Sequence, residues 1–535
     1  MNSNIFYTES KTAKNGSIVP VLADGKFFFS AYNPERDIQF YAADPSVKTS
    51  GFILAGGLGD GKHIQALLEA NPTAVVMVLE YNRETLEYLF SSIINKSELI
   101  HNSRVFFTTP ETLCTDIKNT YIPVLQGSFL YHPVKSWQLA FDENCSFPLK
   151  NAIQDTLNDI AADYATQARF GKLMHINVLK NLKLLSSACR SGTLFKESEI
   201  LTFDKNAEHK EAAVIGAGPS LDETMPILSH YRSRFYIIAT DTAYRTLCRN
   251  NIIPDMVVTL DGQESSISHF LGIVSSKTVV AADICANATA TRHLYEKGCR
   301  LWFFTTGHPL GTLVNSWYKT RSNFKQQESH ENLLRSYYAG FGTVLSAATD
   351  IAIKAGFNTI RFFGADFAYK SGKPYTRGTY LDDKFITDAN RFVTAENAFC
   401  SLCFRTNLSK TDSGFTTPLL SSYKDNLCSF INSKNLVFDF VTSGTKLPEN
   451  NLDNSAKSEF HQKKDVQISK QQENGKAFFD YEDFIRFFIE SLENHDSTML
   501  YSVLPFATWL KEKEKNADIS DIYTKAAALT ALLRS

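Results

Sequence analysis

Nothing in the 535 residues approaches an unbroken apolar run of about 18, the length at which a helix spans a bilayer, so no transmembrane helix is expected. Charge of neither sign dominates. With 55 Lys and Arg against 57 Asp and Glu the net charge is -2, which gives no general attraction to nucleic acid or to a membrane surface. Cysteine is sparse and odd in number, nine scattered residues, a usage that suits free thiols in a reducing cytoplasm. Cys400 and Cys403 form the one Cys-x-x-Cys; with no second pair, they read as packing residues of a helix rather than a metal or redox pair. The first residues, Met1 to Tyr7, show neither a basic start nor an apolar stretch, so no signal peptide is expected there. Tandem repeats are also missing. What the chain has instead is aromatic weight, 40 Phe and 22 Tyr, and a length that calls for several domains.

The most informative stretch runs from Ala212 to Glu223. The apolar run ending in Val214-Ile215 meets Gly216-Ala217-Gly218-Pro219-Ser220, and Ser220 and Glu223 stand at capping-box spacing. A strand, a glycine turn and a helix start together form a place where free N–H groups and the helix dipole attract phosphate. The alternative is an ordinary βα turn. A similar opening lies nearer the N-terminus: Gly51 to Leu54, then Gly56, Gly57, Gly59 and Gly61, a helix, and a second strand ending in Glu80. An acid about 20 positions on is how a dinucleotide or S-adenosylmethionine unit begins, with Glu80 on a ribose; the plain reading is an α/β domain that binds no cofactor. Residues 17–31 read as a hairpin turning at Asp24-Gly25, and 104–109 and 122–125 as further strands.

From Asn151 to Ser187 the apolar spacing becomes helical, a connector. Strand candidates then alternate with helices at 212–215, 235–239, 255–260, 278–282, 300–305 and 359–363, with a late strand at 436–441, the rhythm of a mostly parallel sheet. Such sheets bind ligands at the C-terminal ends of their strands. Standing there are Gly216, Gly218, Pro219 and Ser220; Asp241 and Thr242; Asp261 and Gln263; Thr306, Gly307 and His308; and Asp366 with Tyr369. Gly340, Gly342 and Thr343 precede another helix, a second candidate anion cradle. Residues 444–475 are polar and weakly periodic, a loop or linker, and amphipathic helices follow from Phe478. The expected fold is α/β: a Rossmann-like N-terminal domain (1–148), a helical connector (149–208), a central doubly wound, mostly parallel domain (209–448), a linker (449–475) and an α-helical C-terminal region (476–535).

The motifs Val214 to Leu221, Ala239 to Ala243, Ile253 to Asp261, Phe363 to Gly372, and Gly414 to Pro418 with Tyr423 resemble those of the motility-associated Maf proteins, the flagellin glycosyltransferases. The same group includes archaeal-type hydroxymethylpterin diphosphokinases. The central domain is also similar to bacterial sialyltransferases of glycosyltransferase family 42, with Ala217 where those carry Asn. Their Gly-Ile-Asp-Phe segment and two following tyrosines match Gly364 to Phe367 with Tyr369 and Tyr375, which the resemblance assigns to the donor phosphate. Their catalytic histidine has no match, since no His occurs between 331 and 460. The resemblance implies transfer of a nonulosonic acid (pseudaminic, legionaminic or sialic-like) from its CMP ester to Ser or Thr of flagellin in the cytoplasm. It implies no tightly bound cofactor; a divalent metal is compatible but not required. Asp366, Asp261 and His308 are candidates for the base, and Asp241, Asp261 and Gln263 for positioning the nucleotide. The alternatives are ATP-dependent diphosphoryl transfer to a pterin, with Mg²⁺ on Asp241, Asp261 and Asp366, and a non-catalytic flagellin-binding factor.

Overall fold

A computed structural model describes residues 6–92, 98–195, 211–321, 332–340, 342–411, 414–434, 436–447 and 479–534. The expected linker therefore lies, from residue 448 on, outside the described residues. The chain divides into two compact units, one of residues 1–170 with 507–516, the other of residues 171–506 with 517–535. One helix of 43 residues, Leu149–Ser191, passes from the first into the second.

The first unit opens with β1 (Tyr7–Thr12) paired antiparallel to β2 (Ile18–Leu22). The Asp24-Gly25 turn does form, but it carries only a bridge between Val21 and Phe27, and the main partner of β2 is the preceding strand. A four-stranded parallel sheet follows, built from β3 (Phe52–Gly56), β4 (Val75–Leu79), β5 (Val105–Thr108) and β6 (Phe129–Pro133) in the order β5-β4-β3-β6. The fourth strand is thus 129–133 rather than 122–125. Pro123 instead opens a short helix, Pro123–Gln126, where its missing N–H costs nothing.

The second unit holds eight parallel strands: β7 (Glu211–Ile215), β8 (Phe235–Thr240), β9 (Met256–Thr259), β10 (Val279–Asp283), β11 (Arg300–Thr305), β12 (Arg335–Ser336), β13 (Thr359–Phe363) and, after the antiparallel hairpin β14 (Ser409–Thr411) and β15 (Gly414–Thr416), β16 (Val437–Phe440). Their order is β12-β11-β10-β9-β8-β7-β13-β16. The chain steps outward from β7 to β12, then returns to lay β13 and β16 on the other flank. Alternate residues of β7 feed different cores. Ala212 and Val214 pack with Ala347, Ala348 and Ile351 of the helix Val344–Lys354 and with Leu427 and Ile431 of the helix Pro418–Asn432. Ala213 and Ile215 pack with Leu221 and Leu228 of the helix Ser220–His230 and with Ala243 and Leu247 of the helix Asp241–Arg249. Both faces are covered, as continuous apolar strands require. In this unit the helix Tyr481–Glu493 is held by Trp317 against Phe484, and the helix Ile519–Arg534 is tied to it by Arg534 on Glu482 at 2.9 Å.

Candidate active site

In an open doubly wound sheet the chain leaves a crevice where strand order reverses. Here that point lies between β7 and β13, and a cavity of about 250 Å³ opens at their C-terminal ends. Its floor is two glycine turns pressed together. Gly216 N–H donates to Phe363 O at 2.8 Å and Gly218 N–H to Gly364 O at 2.7 Å. A Cβ on Gly216 would lie 2.5 Å from Gly364 O, and one on Gly364, whose φ is +60°, would lie 2.4 Å from Gly216 O. Only glycine fits at either place.

Three amides of the turn at 216–220, those of Gly216, Gly218 and Ser220, are taken by partners within the protein. The helix starts at Ser220 as expected, but Pro219 is its N-cap and no capping box forms. Asp366 supplies the cap from β13: its Oδ2 accepts the Ser220 N–H at 2.8 Å. This carboxylate takes the anion position at the helix N-terminus that the glycine turn was expected to offer to phosphate.

The rest of the cavity is assembled from distant segments. Thr240 and Thr242 come from the end of β8; Thr343, Val344 and Leu345 are the start of the helix Val344–Lys354; Asp366, Phe367 and Tyr369 follow β13; Pro374 and Tyr375 stand on the strap beyond; Leu420 and Tyr423 come from the helix Pro418–Asn432. Thr343 caps its helix through its hydroxyl, which accepts the Leu345 N–H at 2.9 Å. Gly342 (φ +71°) lies against Tyr423, whose ring a Cβ there would meet at 2.8 Å. The strap carrying Tyr369 and Tyr375 is tied down at three points. Tyr369 N–H donates to Phe415 O at 2.6 Å, Thr376 N–H to Ala217 O at 2.8 Å, and Arg377 N–H to Asp222 Oδ1 at 3.0 Å. Burial raises both tyrosine phenols above their ordinary pKa. At Tyr375 the neighbouring Tyr380, Tyr369 and Asp241 add to this rise, and Arg405 opposes it at both. Both hydroxyls therefore keep their protons at neutral pH and remain hydrogen-bond donors.

Of the residues expected at the strand ends, the cavity gathers Gly216, Gly218, Thr242, Thr343, Asp366, Tyr369 and Tyr375. Pro219 and Ser220 belong to the adjoining turn, and Gly342 backs Tyr423. The others stand elsewhere. Asp241 is buried with both oxygens occupied: Oδ1 takes the Thr242 N–H at 2.7 Å and Oδ2 the Thr259 hydroxyl at 2.9 Å. Asp261 caps its own turn through Gln263 N–H at 2.8 Å, and Gln263 faces solvent. Thr306 is bound to Asp283, its N–H and hydroxyl both 2.8 Å from Oδ2. Gly307 (φ +116°) shapes the turn after β11. His308 is outside the cavity; its Nδ1 accepts the Leu310 N–H at 3.2 Å and its Nε2 is enclosed. Burial lowers its pKa to about 4. Arg405, Tyr423 and Leu420 are site or near-site residues that strand-end reasoning missed. Only Tyr423 carried a signal, through its place in a resembling motif.

The glycine turn of the first unit is filled by the chain itself. Cβ atoms on Gly57 and Gly59 would lie 2.7 and 2.6 Å from the ring of Phe28, and one on Gly56 would lie 2.7 Å from Trp137. Glu80 is fully buried and accepts from the Tyr7 hydroxyl at 2.8 Å, Tyr81 N–H at 3.1 Å and Trp137 Nε1 at 3.2 Å. The acid expected on a ribose instead binds the first strand and the sheet's own helix.

The family model described as 6-hydroxymethylpterin diphosphokinase MptE-like matches residues 180–372. An uncharacterized protein of Treponema pallidum (strain Nichols) is 31% identical over 253 residues, 46% of this chain and 73% of that protein. A second from the same organism is 28% identical over 211 residues, 38% of this chain and 94% of that protein. The solved structure of a Maf glycosyltransferase from Magnetospirillum magneticum AMB-1 aligns over 99% of this chain and 86% of its own, with a TM-score of 0.51 at 13% identity. The chain belongs to the family of the first Treponema protein, and its fold is the Maf glycosyltransferase fold. At 13% identity the likeness to the Magnetospirillum protein is one of architecture, so residue roles rest on the geometry above. Within the Maf fold the glycine turns, the Asp366 cap and the tyrosine strap all meet at one switch point, inside or directly beyond the MptE-like segment.

Proposed function

We propose that the protein is a cytoplasmic glycosyltransferase that moves a nonulosonic acid from its CMP ester to a Ser or Thr hydroxyl of flagellin. The observation that carries the reading is the pair of tyrosines, Tyr369 and Tyr375, held by one strap at the switch-point cavity of a Maf fold. As the bond from the anomeric carbon to the phosphate oxygen breaks, its electron pair leaves with CMP and negative charge grows on that phosphate. Two O–H donors there stabilise the leaving group more as the charge develops, and the helix start at Thr343 to Leu345 adds its dipole. The acceptor oxygen bonds to the anomeric carbon and must lose a proton. Asp366 is the one of the three candidate bases that lines the cavity; its Oδ2 is fixed by Ser220 N–H, and Oδ1 serves as the proton acceptor.

The match to the diphosphokinase-type model favours a second reading, ATP-dependent transfer to a pterin. It asks Asp241, Asp261 and Asp366 to share Mg²⁺. Those carboxylates are engaged at three separate turns, and of the three only Asp366 lines the switch-point cavity. Nucleotide preference separates the readings. At 100 times its Kd, CMP adds about 2.7 kcal/mol to the stability of the unit that binds it and raises the thermal midpoint. ATP with Mg²⁺ is expected to leave the midpoint in place. The opposite pattern sinks the transferase.

A further inference from the structure

The strap that delivers Tyr369 and Tyr375 has a second side. Behind it lies another cavity, of about 500 Å³, bounded by Pro219, Asp222, Glu223 and Met225 of the helix Ser220–His230, by Asn250, and by Lys370, Ser371, Lys373 and Arg377 of the strap. None of these residues lines the switch-point cavity.

The charges in this wall are unevenly matched. Glu223 is neutralised by Lys370 at 2.7 Å. Asp222 is occupied by the strap itself: its Oδ1 accepts the Thr376 hydroxyl and the Arg377 N–H. Both acids thus serve to clamp the strap. Among the described residues Lys373 forms no ion pair, and the Arg377 guanidinium comes no nearer than 3.9 Å to a carboxylate, that of Asp222. Two cations therefore border a polar cavity large enough for a small metabolite, one of them a planar fork suited to phosphate oxygens. The backbone at this wall is also held in an uncommon form. Ser371 has φ +53° and Gly372 φ +70°. A left-handed Ser persists only where its surroundings hold it, and such residues gather at ligand-gripping segments.

We propose that this cavity is a second binding site, for a phosphorylated small molecule held by Lys373 and Arg377, and that its occupancy steadies the strap bearing Tyr369 and Tyr375. The site is independent of which donor fills the switch-point cavity. Inorganic pyrophosphate serves as the probe on the full-length protein. Pyrophosphate is expected to bind the wild type and to slow backbone hydrogen exchange across residues 368–378. The double variant Lys373→Ala/Arg377→Ala is expected to bind at least tenfold more weakly, with exchange no longer slowed. Charge reversal by Lys373→Glu is expected to weaken binding as well, and Tyr375→Phe, on the other face of the strap, to leave it within twofold. Malonate, a dicarboxylate of similar charge, is expected to bind at least tenfold more weakly than pyrophosphate. Equal pyrophosphate binding in the wild type and in both cation variants, no binding to the wild type, exchange unchanged at the strap, a larger loss in Tyr375→Phe, or malonate binding as tightly would each overturn the proposal.

Discussion

Tyr369 and Tyr375 line the switch-point cavity as hydrogen-bond donors, since a phenol carries its proton at neutral pH and burial shifts both further in that direction. Replacing both with Phe removes two O–H groups and little volume. The double variant is expected to keep its thermal midpoint while kcat for sugar transfer falls by about 10²–10³-fold, the size of losing donors aimed at a developing charge. Steady-state rates with melting curves on the same samples check this; unchanged kcat contradicts the assigned role. Gly218 makes a steric statement. A Cβ there would sit 2.3 Å from Asp366 Oδ2 and 2.7 Å from Gly364 O, so Gly218→Ala must push the cap off Ser220 or part the two turns. A loss of about 1–3 kcal/mol in stability is expected, read by denaturant melts. His308 sets a pH dependence. Its folded pKa of about 4 lies below the ordinary 6.5, so between those values the unfolded chain binds the extra proton and folding weakens as pH falls from 6.5 toward 4. Melts of the wild type and His308→Gln across pH 4–7.5 are expected to show a shallower acid slope in the variant.

The first hairpin is the element whose role differs most from what its sequence suggested. Residues 368–378, whose Tyr369 and Tyr375 the resemblance places at the donor phosphate, are fixed as one wall of the cavity by ties to Ala217, Asp222 and Phe415. In the first unit, Tyr7 of β1 binds Glu80, and the ring of Phe28 beyond β2 lies directly against the glycine turn. S-adenosylmethionine and NAD are therefore expected to leave the thermal midpoint of the protein unchanged, while Phe28→Ala is expected to cost about 3–5 kcal/mol through the cavity it opens. A clear upward shift with either cofactor contradicts the filled-site account. The alternating strands and helices of the second unit were legible because buried parallel strands are continuous apolar runs. Every strand expected there from 212 to 363 is found within a residue of its place. The strand at 129–133 was not legible: its Tyr131-His132-Pro133 stretch is polar and only partly buried, whereas 122–125 is apolar but led by proline. Site residues followed the same division. Glycines at turns and the Asp366 segment announced themselves by position along the sheet. Which strand-end aspartates turn inward depends on partners such as Thr259, which no local pattern shows.

At the scale of the whole molecule, the Maf fold sets a tyrosine-lined cavity at the switch point of its large sheet, and glycosyl transfer is the activity proposed for that cavity. The architecture was readable in advance, and so was the edge of the sheet where ligands gather. The switch point itself was not, because strand order depends on β13 returning to the flank of β7 across more than a hundred intervening residues. Purified protein incubated with unmodified flagellin and each of the CMP-activated pseudaminic, legionaminic and sialic acids, followed by intact-mass measurement of the flagellin, tests the central claim. The account expects a mass gain of whole sugar residues with at least one donor, lost in the Tyr369→Phe/Tyr375→Phe variant. Flagellin unchanged with all three donors, under conditions where ATP and a hydroxymethylpterin yield the pterin diphosphate, would contradict it.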